Sequence, residues 1–360
     1  MLRLDEKTWE EFPLESVFTV SAGKRLETRN KVDGSRPFIG ATDNGNGITG
    51  FVSNDNASKD RNVLGVNYNG APCIAFYHPY ECIFTDDVKR LHLKDWTDSE
   101  NSLLSFSPIF AMQRPKYSYG YKFKEQRMLR QKLMLPVIDD GEPDYEYMEQ
   151  YASEKRGGLL MRYKNYVAER LSELEHKDIP TLDEKEWAGF EVGKLFKTTV
   201  RGKKTYMPTG ALVDGRILND GEIPRIRVTA ANNGINGITN RANDSNFRTY
   251  KNFVSMSFLG SSFYHPYEAS LDMKVHCLQF CDREMTAGLG LFVAVMLMQN
   301  VTGTNYGNQL SSEDLVSKRV LLPVNDLGEP DFDYMEAFGT NMMLRKYQQY
   351  LAFLDTKKMI

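Results

Sequence analysis

The hexapeptide FYHPYE occurs at residues 76–81 and again at residues 263–268, 187 residues later. The same interval separates two further pairs of segments: LPVIDDGEPDYEYME from Leu135 and LPVNDLGEPDFDYME from Leu322, and Tyr119-Gly120 and Tyr306-Gly307. Ordered repetition at one interval indicates a duplicated structural unit. We therefore predict two copies of one module, at about residues 9–175 and from about residue 187 onward.

Two other pairs of segments have different intervals. WEEF at Trp9 and WAGF at Trp187 are 178 residues apart, and the NGIT of residues 46–49 pairs with that of residues 236–239 at 190. Small insertions between the copies account for such shifts. Between these anchors the two copies differ almost everywhere, which predicts one scaffold that carries two different binding surfaces.

Each copy has the pattern of a mixed α+β fold. Strand-like runs at residues 36–41 and 73–77 lie between turns rich in Gly and Asn, and apolar helices are predicted at residues 103–112 and 289–298. A long helix is then predicted after each GEP turn. Pro143 and Pro330 suit a first helical turn, and the Asp that follows each places a carboxylate near the positive end of the helix dipole.

The two long helices carry an apolar stripe with spacings of three and four residues. Its members are Leu160, Tyr163, Val167, Arg170 and Leu174 in the first helix, and Leu344, Tyr347, Leu351 and Leu354 in the second. Such a seam predicts antiparallel, coiled-coil-like packing of the two helices, because the stripe must be buried. The alternative is that each helix packs on its own domain. Gly157-Gly158 suggests a kink or break.

The predicted architecture is two tandem mixed α/β domains with approximate two-fold symmetry. The domains span residues 1–142 and 181–329. The first long helix and a linker occupy residues 143–180, and the second long helix occupies residues 330–360.

Composition limits the function. The 360 residues are 41% hydrophobic and have a formal net charge of −3, so a uniformly basic nucleic-acid binder is disfavoured. The four cysteines form no CxxC pair, which argues against a zinc ribbon or a disulfide framework. The start MLRLDEKTWEEF does not resemble a signal peptide, and the longest apolar run, residues 287–298, is too short to span a bilayer. We therefore predict a cytoplasmic protein without a membrane partner.

The familiar enzyme motifs are missing from the sequence. It contains no GxxxxGK[ST], HExxH or GxSxG. Asp144 and Asp331 fit helix starts better than a nuclease cluster. His78 and His265 are predicted to mark a duplicated turn, set by the proline that follows each, with contact to a bound partner as the alternative. Cys277 and Cys281 are predicted to share one buried strand face. We predict no catalytic residue, no metal site and no cofactor in this chain.

Loops rich in Asn, Thr, Lys and Arg remain as candidates, since cations contact phosphates and amides can read base edges. Solvated turns often have the same composition. The first copy offers Lys24, Arg25, Thr42, Asn44, Asn46, Lys116, Tyr117, Tyr119, Lys122 and Lys124. The second copy offers Arg201, Lys203, Lys204, Thr229, Asn232, Asn233, Asn236, Asn305, Tyr306 and Asn308.

The ordered set NGITGFVS, FYHPYE, YGYK and LPV with GEPD, followed by a long helix and repeated in one chain, resembles the specificity (S) subunits of Type I restriction–modification systems. The GEPD-YME endings and the length resemble most the separate S subunits of Type IIB systems. The resemblance covers nearly the whole chain. Only framework positions transfer from the family, namely Tyr77, Tyr264, Gly120 and Gly307, because the base-reading residues differ between members.

This resemblance implies that the two domains are target recognition domains, each reading half of a bipartite, asymmetric double-stranded DNA sequence. The helices would fix the distance between the halves and dock DNA methyltransferase subunits, with or without a restriction subunit, in a bacterial or archaeal cytoplasm. S-adenosylmethionine and Mg²⁺ would belong to those partners. The competing interpretation is a tandem-domain protein-binding scaffold without DNA specificity.

Overall fold

A computed structural model describes residues 3–117 and 121–357 of the chain. It divides into two compact units, Met1–Tyr163 (unit 1) and Lys164–Ile360 (unit 2). Both are mixed α+β, as predicted. Within the described ranges, no helix combines the length and apolar character needed to cross a membrane.

Unit 1 contains three antiparallel or mixed sheets and two main helices. Its strands are β1 (Trp9–Pro13), β2 (Phe18–Ala22), β3 (Asp33–Ile39), β4 (Ile48–Val52), β5 (Val63–Asn67), β6 (Ala75–His78), β7 (Ile83–Phe84), β8 (Val88–Leu93) and β9 (Lys132–Pro136). The helices are α1 (Leu14–Val17), α2 (Glu100–Ala111), α3 (Glu125–Leu129) and the long α4 (Tyr145–Glu173). The sheet orders are β2-β8-β5-β6, β4-β3-β7 and β1-β9.

The core of unit 1 forms where α2 meets the four-stranded sheet. Phe106 and Phe110 of α2 are fully buried with Phe18, and the Phe18 and Phe106 rings lie 4.7 Å apart in an edge-to-face contact. The helix begins at Ser99, whose hydroxyl accepts the amide N–H of Ser102. The apolar helix predicted at residues 103–112 is therefore confirmed.

Unit 2 repeats this plan with a larger sheet. Its strands are β10 (Trp187–Glu191), β11 (Thr199–Arg201), β12 (Lys204–Tyr206), β13 (Asp220–Ile226), β14 (Ile235–Thr239), β15 (Thr249–Ser257), β16 (Ser262–Leu271), β17 (Val275–Leu278) and β18 (Arg319–Pro323). Its helices are α5 (Val192–Leu195), α6 (Ala287–Asn300), α7 (Ser312–Ser317) and α8 (Phe332–Lys357). The order of the main sheet is β14-β13-β16-β15-β17. The helix predicted at residues 289–298 is α6.

Equivalent side chains hold equivalent positions in the two units. The Tyr77 hydroxyl donates to Asn62 Oδ1 at 2.7 Å, and the Tyr264 hydroxyl donates to Asn252 Oδ1 at 2.9 Å. Both asparagines have positive φ, 52° and 55°. The tyrosine of each FYHPYE segment thus fixes a left-handed residue at the start of, or within, the neighbouring strand, which explains why it recurs.

The predicted interval of 190 residues for the glycine-rich segments is wrong. Asn46 (φ 54°) and Asn233 (φ 51°) hold the same left-handed position, one residue before a glycine that is also left-handed, and Ile48 and Ile235 begin β4 and β14. The interval here is therefore 187. The two NGIT tetrapeptides are therefore not structurally equivalent. The equivalent feature is the left-handed Asn-Gly pair, Asn46-Gly47 and Asn233-Gly234.

Each long helix begins at an aspartate. Asp144 Oδ1 accepts the amide N–H of Tyr147 at 2.9 Å, and Asp331 Oδ1 accepts that of Tyr334 at 3.0 Å, so both residues are N-caps. The prediction that Pro143 and Pro330 lie in the first helical turn is wrong. Each precedes the aspartate and forms an isolated bridge with a residue before the GEP turn.

A lysine pairs with each of these N-cap carboxylates. Lys7 Nζ lies 2.6 Å from Asp144 Oδ2, and Lys185 Nζ lies 2.8 Å from Asp331 Oδ2. Burial alone would raise the pKa of both carboxyl groups, but the ammonium and the backbone N–H outweigh it and lower the pKa below the ordinary value. The structural interpretation of these acids is thereby supported.

The predicted kink at Gly157-Gly158 is wrong, since α4 continues through both glycines. Near its C-terminal end, within unit 2, α4 contacts α8. Lys164 Nζ lies 3.5 Å from Asp355 Oδ1, and the rings of Tyr166 and Tyr347 are 6.3 Å apart. Residue numbers increase along one helix as they decrease along the other, so these contacts are antiparallel. The buried stripe residues are Val167, Leu344 and Leu354.

Candidate nucleic-acid interface

One edge of the main sheet in unit 1 collects four of the ten predicted residues of the first copy, namely Lys24, Arg25, Thr42 and Asn44. The C-terminal ends of β2 and β5 meet the N-terminal ends of β6 and β8 there. Thr42 accepts a hydrogen bond through its carbonyl from Asn67 Nδ2 at 2.8 Å, and the Lys24 N–H donates to the Phe84 carbonyl at 2.8 Å. Residues 23–25, 40–44, 67–70 and 85–87 define the loop edge of unit 1.

Cations surround this loop edge. Arg25 is exposed, 4.0 Å from the Asp86 carboxylate, and Lys116 Nζ donates to Gln113 Oε1 at 2.7 Å. Arg114, which the sequence analysis did not single out, lies 3.4 Å from the Asp43 carboxylate. Lys124 is exposed at the start of α3. Arg25 and Arg114 thus lie beside acidic residues of this edge and are candidates for phosphate contact.

Two other candidates of unit 1, Tyr117 and Asn46, are engaged within the protein through their side chains. The Tyr117 hydroxyl contacts Gln131 Oε1 at 2.5 Å, and burial raises the pKa of Tyr117 to about 12. Asn46 Nδ2 donates to the Tyr80 hydroxyl at 3.0 Å, and the Lys122 carbonyl accepts from Arg127. Asn44 is exposed. Tyr119 and Gly120 lie outside the described residues.

The equivalent edge of unit 2 is built from residues 227–236, 258–261, 272–274 and 302–309, the loop edge of unit 2. The Ser261 hydroxyl donates to the Thr229 carbonyl at 3.3 Å, and Lys274 Nζ donates to Gln309 Oε1 at 2.8 Å. The Phe258 and Tyr306 rings are 5.9 Å apart. These contacts bring together loops that are far apart in the sequence.

Several amides on this edge shape the loops. Asn305 Oδ1 accepts the backbone N–H groups of Gly307 and Asn308, at 2.8 and 2.9 Å, and Asn308 Nδ2 donates to the Gly303 carbonyl. Asn232 Nδ2 donates to the Ile235 carbonyl at 3.2 Å. Tyr306 projects between them with 78% of its side chain exposed. Among these, Tyr306 is the best placed to stack on a base.

The three cations predicted at residues 201–204 lie elsewhere. They belong to the β11–β12 hairpin, where Arg201 lies over the Tyr206 ring and Lys204 Nζ is 2.9 Å from Glu313 of α7. Lys203 is exposed. The hairpin thus packs on α7 rather than forming part of the loop edge of unit 2.

Sequence reasoning missed a network of three charged residues at the loop edge of unit 2. Asp272 accepts from the buried Arg225 at 2.9 Å and from Arg227 at 3.0 Å. The available signal was the Pro-Arg-Ile-Arg run of β13, which places a charged side chain inside a strand pattern. Neither arginine has a counterpart in unit 1, where Phe38 and Gly40 occupy the equivalent positions.

The histidine predictions are wrong. His78 ends β6, whereas His265 and Pro266 lie inside β16, where a register shift in the pairing with β15 accommodates the proline. Both histidines are fully buried, and this burial lowers the pKa of each to about 4. Their burial favours a structural role over contact with a bound partner.

The remaining histidine and cysteine contacts among the described residues are structural. His92 lies between Asp60 and Asp98, whose hydrogen bonds raise its pKa to about 9, and this ion-paired cluster joins β8 to the start of α2. Cys277 is buried in β17, but Cys281 follows the strand and is exposed, so the two do not share a buried face as predicted. Over residues 3–117 and 121–357, no three His, Cys, Asp or Glu side chains are arranged so that they could hold a metal ion.

Comparison with known proteins confirms the resemblance. Residues 6–157 match the family model described as the Type I restriction modification DNA specificity domain. The chain is also 46% identical, over 172 residues, to the type II restriction enzyme BgcI specificity subunit S.BcgI of Heyndrickxia coagulans, a match that covers 48% of each protein. It therefore spans about half the length of the curated relative that it matches.

Solved structures of low sequence identity are also similar. The S subunit of the Type I system from M. genitalium matches with a TM-score of 0.46 and 13% identity, covering 99% of this chain and 95% of that one. The HsdS subunit from Thermoanaerobacter tengcongensis matches with a TM-score of 0.30 and 11% identity, covering 97% and 91%.

Proposed function

We propose that this chain is a specificity subunit that recognises a bipartite, asymmetric DNA sequence and directs methyltransferase and restriction subunits to it. One observation carries the proposal. The same loop edge is built twice on an equivalent scaffold, with different side chains in each copy. Two edges that carry different side chains on the same scaffold suit two half-sites of different sequence.

In this proposal α4 and α8 form the antiparallel spacer, coiled-coil-like, between two target recognition domains related by an approximate two-fold axis. The contacts of Lys164 with Asp355 and of Tyr166 with Tyr347 support it. Recognition domains of such symmetry read half-sites about one helical turn of DNA apart, roughly 34 Å. The proposed setting is the cytoplasm of a bacterium or archaeon.

The experiment that tests this function is sequencing of methylated DNA from cells that express the chain with its methyltransferase subunits. We expect methylation at one motif made of two unlike half-sites around an unread spacer. Methylation at a single undivided motif, or methylation that does not depend on this chain, would contradict the proposal. The proposed non-catalytic role places S-adenosylmethionine and Mg²⁺ in the partner subunits.

Each unit also has an apolar groove suited to a partner. The groove of unit 1, about 840 Å³, is lined by Trp9, α2 and α4, and that of unit 2, about 610 Å³, by Trp187, α6 and α8. Exposed apolar side chains line both, among them Leu159, Leu291 and Val295. Equivalent grooves in a duplicated chain would bind two copies of one partner, here the methyltransferase subunit.

Leu291→Glu tests the groove of unit 2. Leu291 is 42% exposed, so a carboxylate there should leave the fold intact while desolvation weakens docking, by roughly 30-fold for a central contact. We expect light scattering to show one methyltransferase subunit per chain where the native chain binds two. Leu327→Glu, at an exposed turn outside the groove, is the control. Two subunits bound to L291E would exclude this groove as a docking site.

Replacing Lys122 and Lys124 of unit 1 by alanine tests phosphate contact. We expect the complex to bind all DNA sequences more weakly and the slope of log K against log[salt] to fall by about one per lost contact. The control is Lys132→Ala, an exposed cation on β9 that pairs with Glu11 of β1. An altered base preference with an unchanged salt slope would assign these lysines a different role.

The second candidate function, a scaffold that grips a protein, also fits the apolar grooves. A gel shift with genomic fragments, in the presence of the methyltransferase partner, separates the two functions. Sequence-dependent retardation supports the DNA specificity subunit, and its absence supports the scaffold.

A further inference from the structure

The buried Arg225 anchors a fixed chain of charges at the loop edge of unit 2. Its side chain is 1% exposed, and its terminal nitrogens contact the Ser270 hydroxyl at 2.6 Å, the Ala211 carbonyl at 3.1 Å and Asp272 Oδ1 at 2.9 Å. Asp272, 14% exposed, holds Arg227 Nε through its other oxygen at 3.0 Å. Asn236 Oδ1 accepts from Arg227 Nη1 at 3.3 Å.

Burial of these charges opposes folding. Removing them from water costs several kcal/mol per ion, and the attraction within the ion pair offsets this only in part. Arg225 Nε also has no hydrogen-bond partner among the described residues. Apolar side chains could fill the same volume without this desolvation cost. In unit 1, Phe38 occupies the position equivalent to Arg225. The network therefore calls for a role beyond stability.

The exposed end of the network indicates that role. The Arg227 side chain is 44% exposed and contributes nothing to the core, yet Asp272 and Asn236 hold it in place. It follows β13 directly and opens the loop that carries Thr229, at the edge to which Ser261 and Lys274 also belong. The network orders a guanidinium on the surface proposed to face DNA.

We propose that Arg227 reads a guanine in the half-site recognised by unit 2, and that Asp272 and Arg225 position its guanidinium. The inference rests on the function proposed above. An arginine fork donates two hydrogen bonds to guanine O6 and N7, the commonest specific contact in the major groove. The Asp272 contact occupies Nε and leaves N–H groups on both terminal nitrogens for such a bidentate contact.

A phosphate contact is the competing role for Arg227. Phosphate contacts carry no direct sequence information and do not require a fixed side chain. A base contact does, because a rigid guanidinium loses less conformational entropy on binding and rejects the wrong base edge. The restriction of the network to unit 2 also fits a base contact, since the two half-sites are expected to differ.

The test uses the complete complex with its methyltransferase subunits and S-adenosylmethionine, and a duplex library randomised in both half-sites. With Arg227→Ala, we expect the methylated products to lose their preference for guanine at one position of one half-site. A bidentate pair predicts a loss of discrimination of roughly 5- to 150-fold there. Preference at the other half-site should not change.

Asp272→Asn tests the positioning role. It keeps the shape of the side chain while removing its charge, and we expect relaxed discrimination at the same guanine position, with Arg227 still present. Because this variant leaves Arg225 less well paired, its thermal unfolding is measured in parallel. Loss of methylation at all sites together with a lowered Tm would reflect unfolding, and the assignment then rests on Arg227→Ala, whose side chain is outside the core.

Arg241→Ala is the matched control, since Arg241 is an exposed arginine of unit 2 that pairs with Glu268 outside the loop edge. Three results would overturn the proposal for Arg227→Ala: uniform weakening with a smaller salt slope, an unchanged preference, or a change at an A·T pair. If the native complex methylates no bipartite motif, the proposed function fails first. If the native complex methylates a bipartite motif but Arg227→Ala leaves the base preference unchanged, only the role assigned to Arg227 fails.

Discussion

Four residues inserted after Met161 are expected to lengthen the unread spacer of the target by roughly one to two base pairs while both half-sites stay the same. One added turn extends α4 by about 6 Å, and a base pair of DNA rises roughly 3.4 Å. The insertion point follows Leu159, the last groove residue in unit 1, and precedes Lys164, which contacts α8. Methylated-base sequencing should show the native motif lost and the extended motif gained.

The control for this insertion keeps the helix length constant. Replacing Gly157 and Gly158 by alanine changes only helix propensity, because nothing lies within 4 Å of either position where a Cβ would be added. The native spacer should therefore persist in that variant. An unchanged spacer in the insertion variant, with methylation intact, would show that α4 does not set the distance between half-sites.

Gly339→Ala is expected to destabilise unit 2 by about 2 kcal/mol or more. Gly339 of α8 lies where α8 crosses α6, and an added Cβ would be 2.1 Å from the carbonyl oxygen of Gly288. Backbone atoms on both helices would have to separate, and this outweighs the gain of about 1 kcal/mol in helix propensity. Urea unfolding followed by tryptophan fluorescence measures the change in the free energy of unfolding.

The same substitution at Gly157 of α4 is the matched comparison. There the added methyl group meets open space, so we expect a gain of up to about 1 kcal/mol. The two glycine-to-alanine changes should thus have opposite signs. Equal stability of the two variants would mean that the α6–α8 crossing can widen at little cost.

Much of the fold could be predicted from the sequence because its signals are local or repeated. Apolar periodicity located α2 and α6, and the GEP-Asp segments located the starts of α4 and α8. The errors concern residues that usually interrupt an element but do not do so here. Gly157-Gly158 does not bend α4, and Pro266 does not end β16, because a register shift with β15 accommodates it.

The candidate site was only partly predictable. Composition indicated the loops, and the structure brings Lys24, Arg25 and Thr42 of unit 1 to one edge, while the cations of residues 201–204 lie on a hairpin beside α7. Arg227 was missed because its partner Asp272 is far away in the sequence and because unit 1 has no such pair to compare. Pairing across a sheet leaves no periodic signal in either segment.

The Arg225–Asp272–Arg227 network bears on how the specificity of such a protein evolves. Substitution of Arg225 or of Asp272 leaves the other charge unpaired in the protein interior, so intermediates between two base specificities that change either residue should be unstable. Lineages are then expected to acquire new specificities by recombination that exchanges an entire half of the gene, with crossovers in the repeated FYHPYE and GEPD segments, rather than by stepwise point mutation.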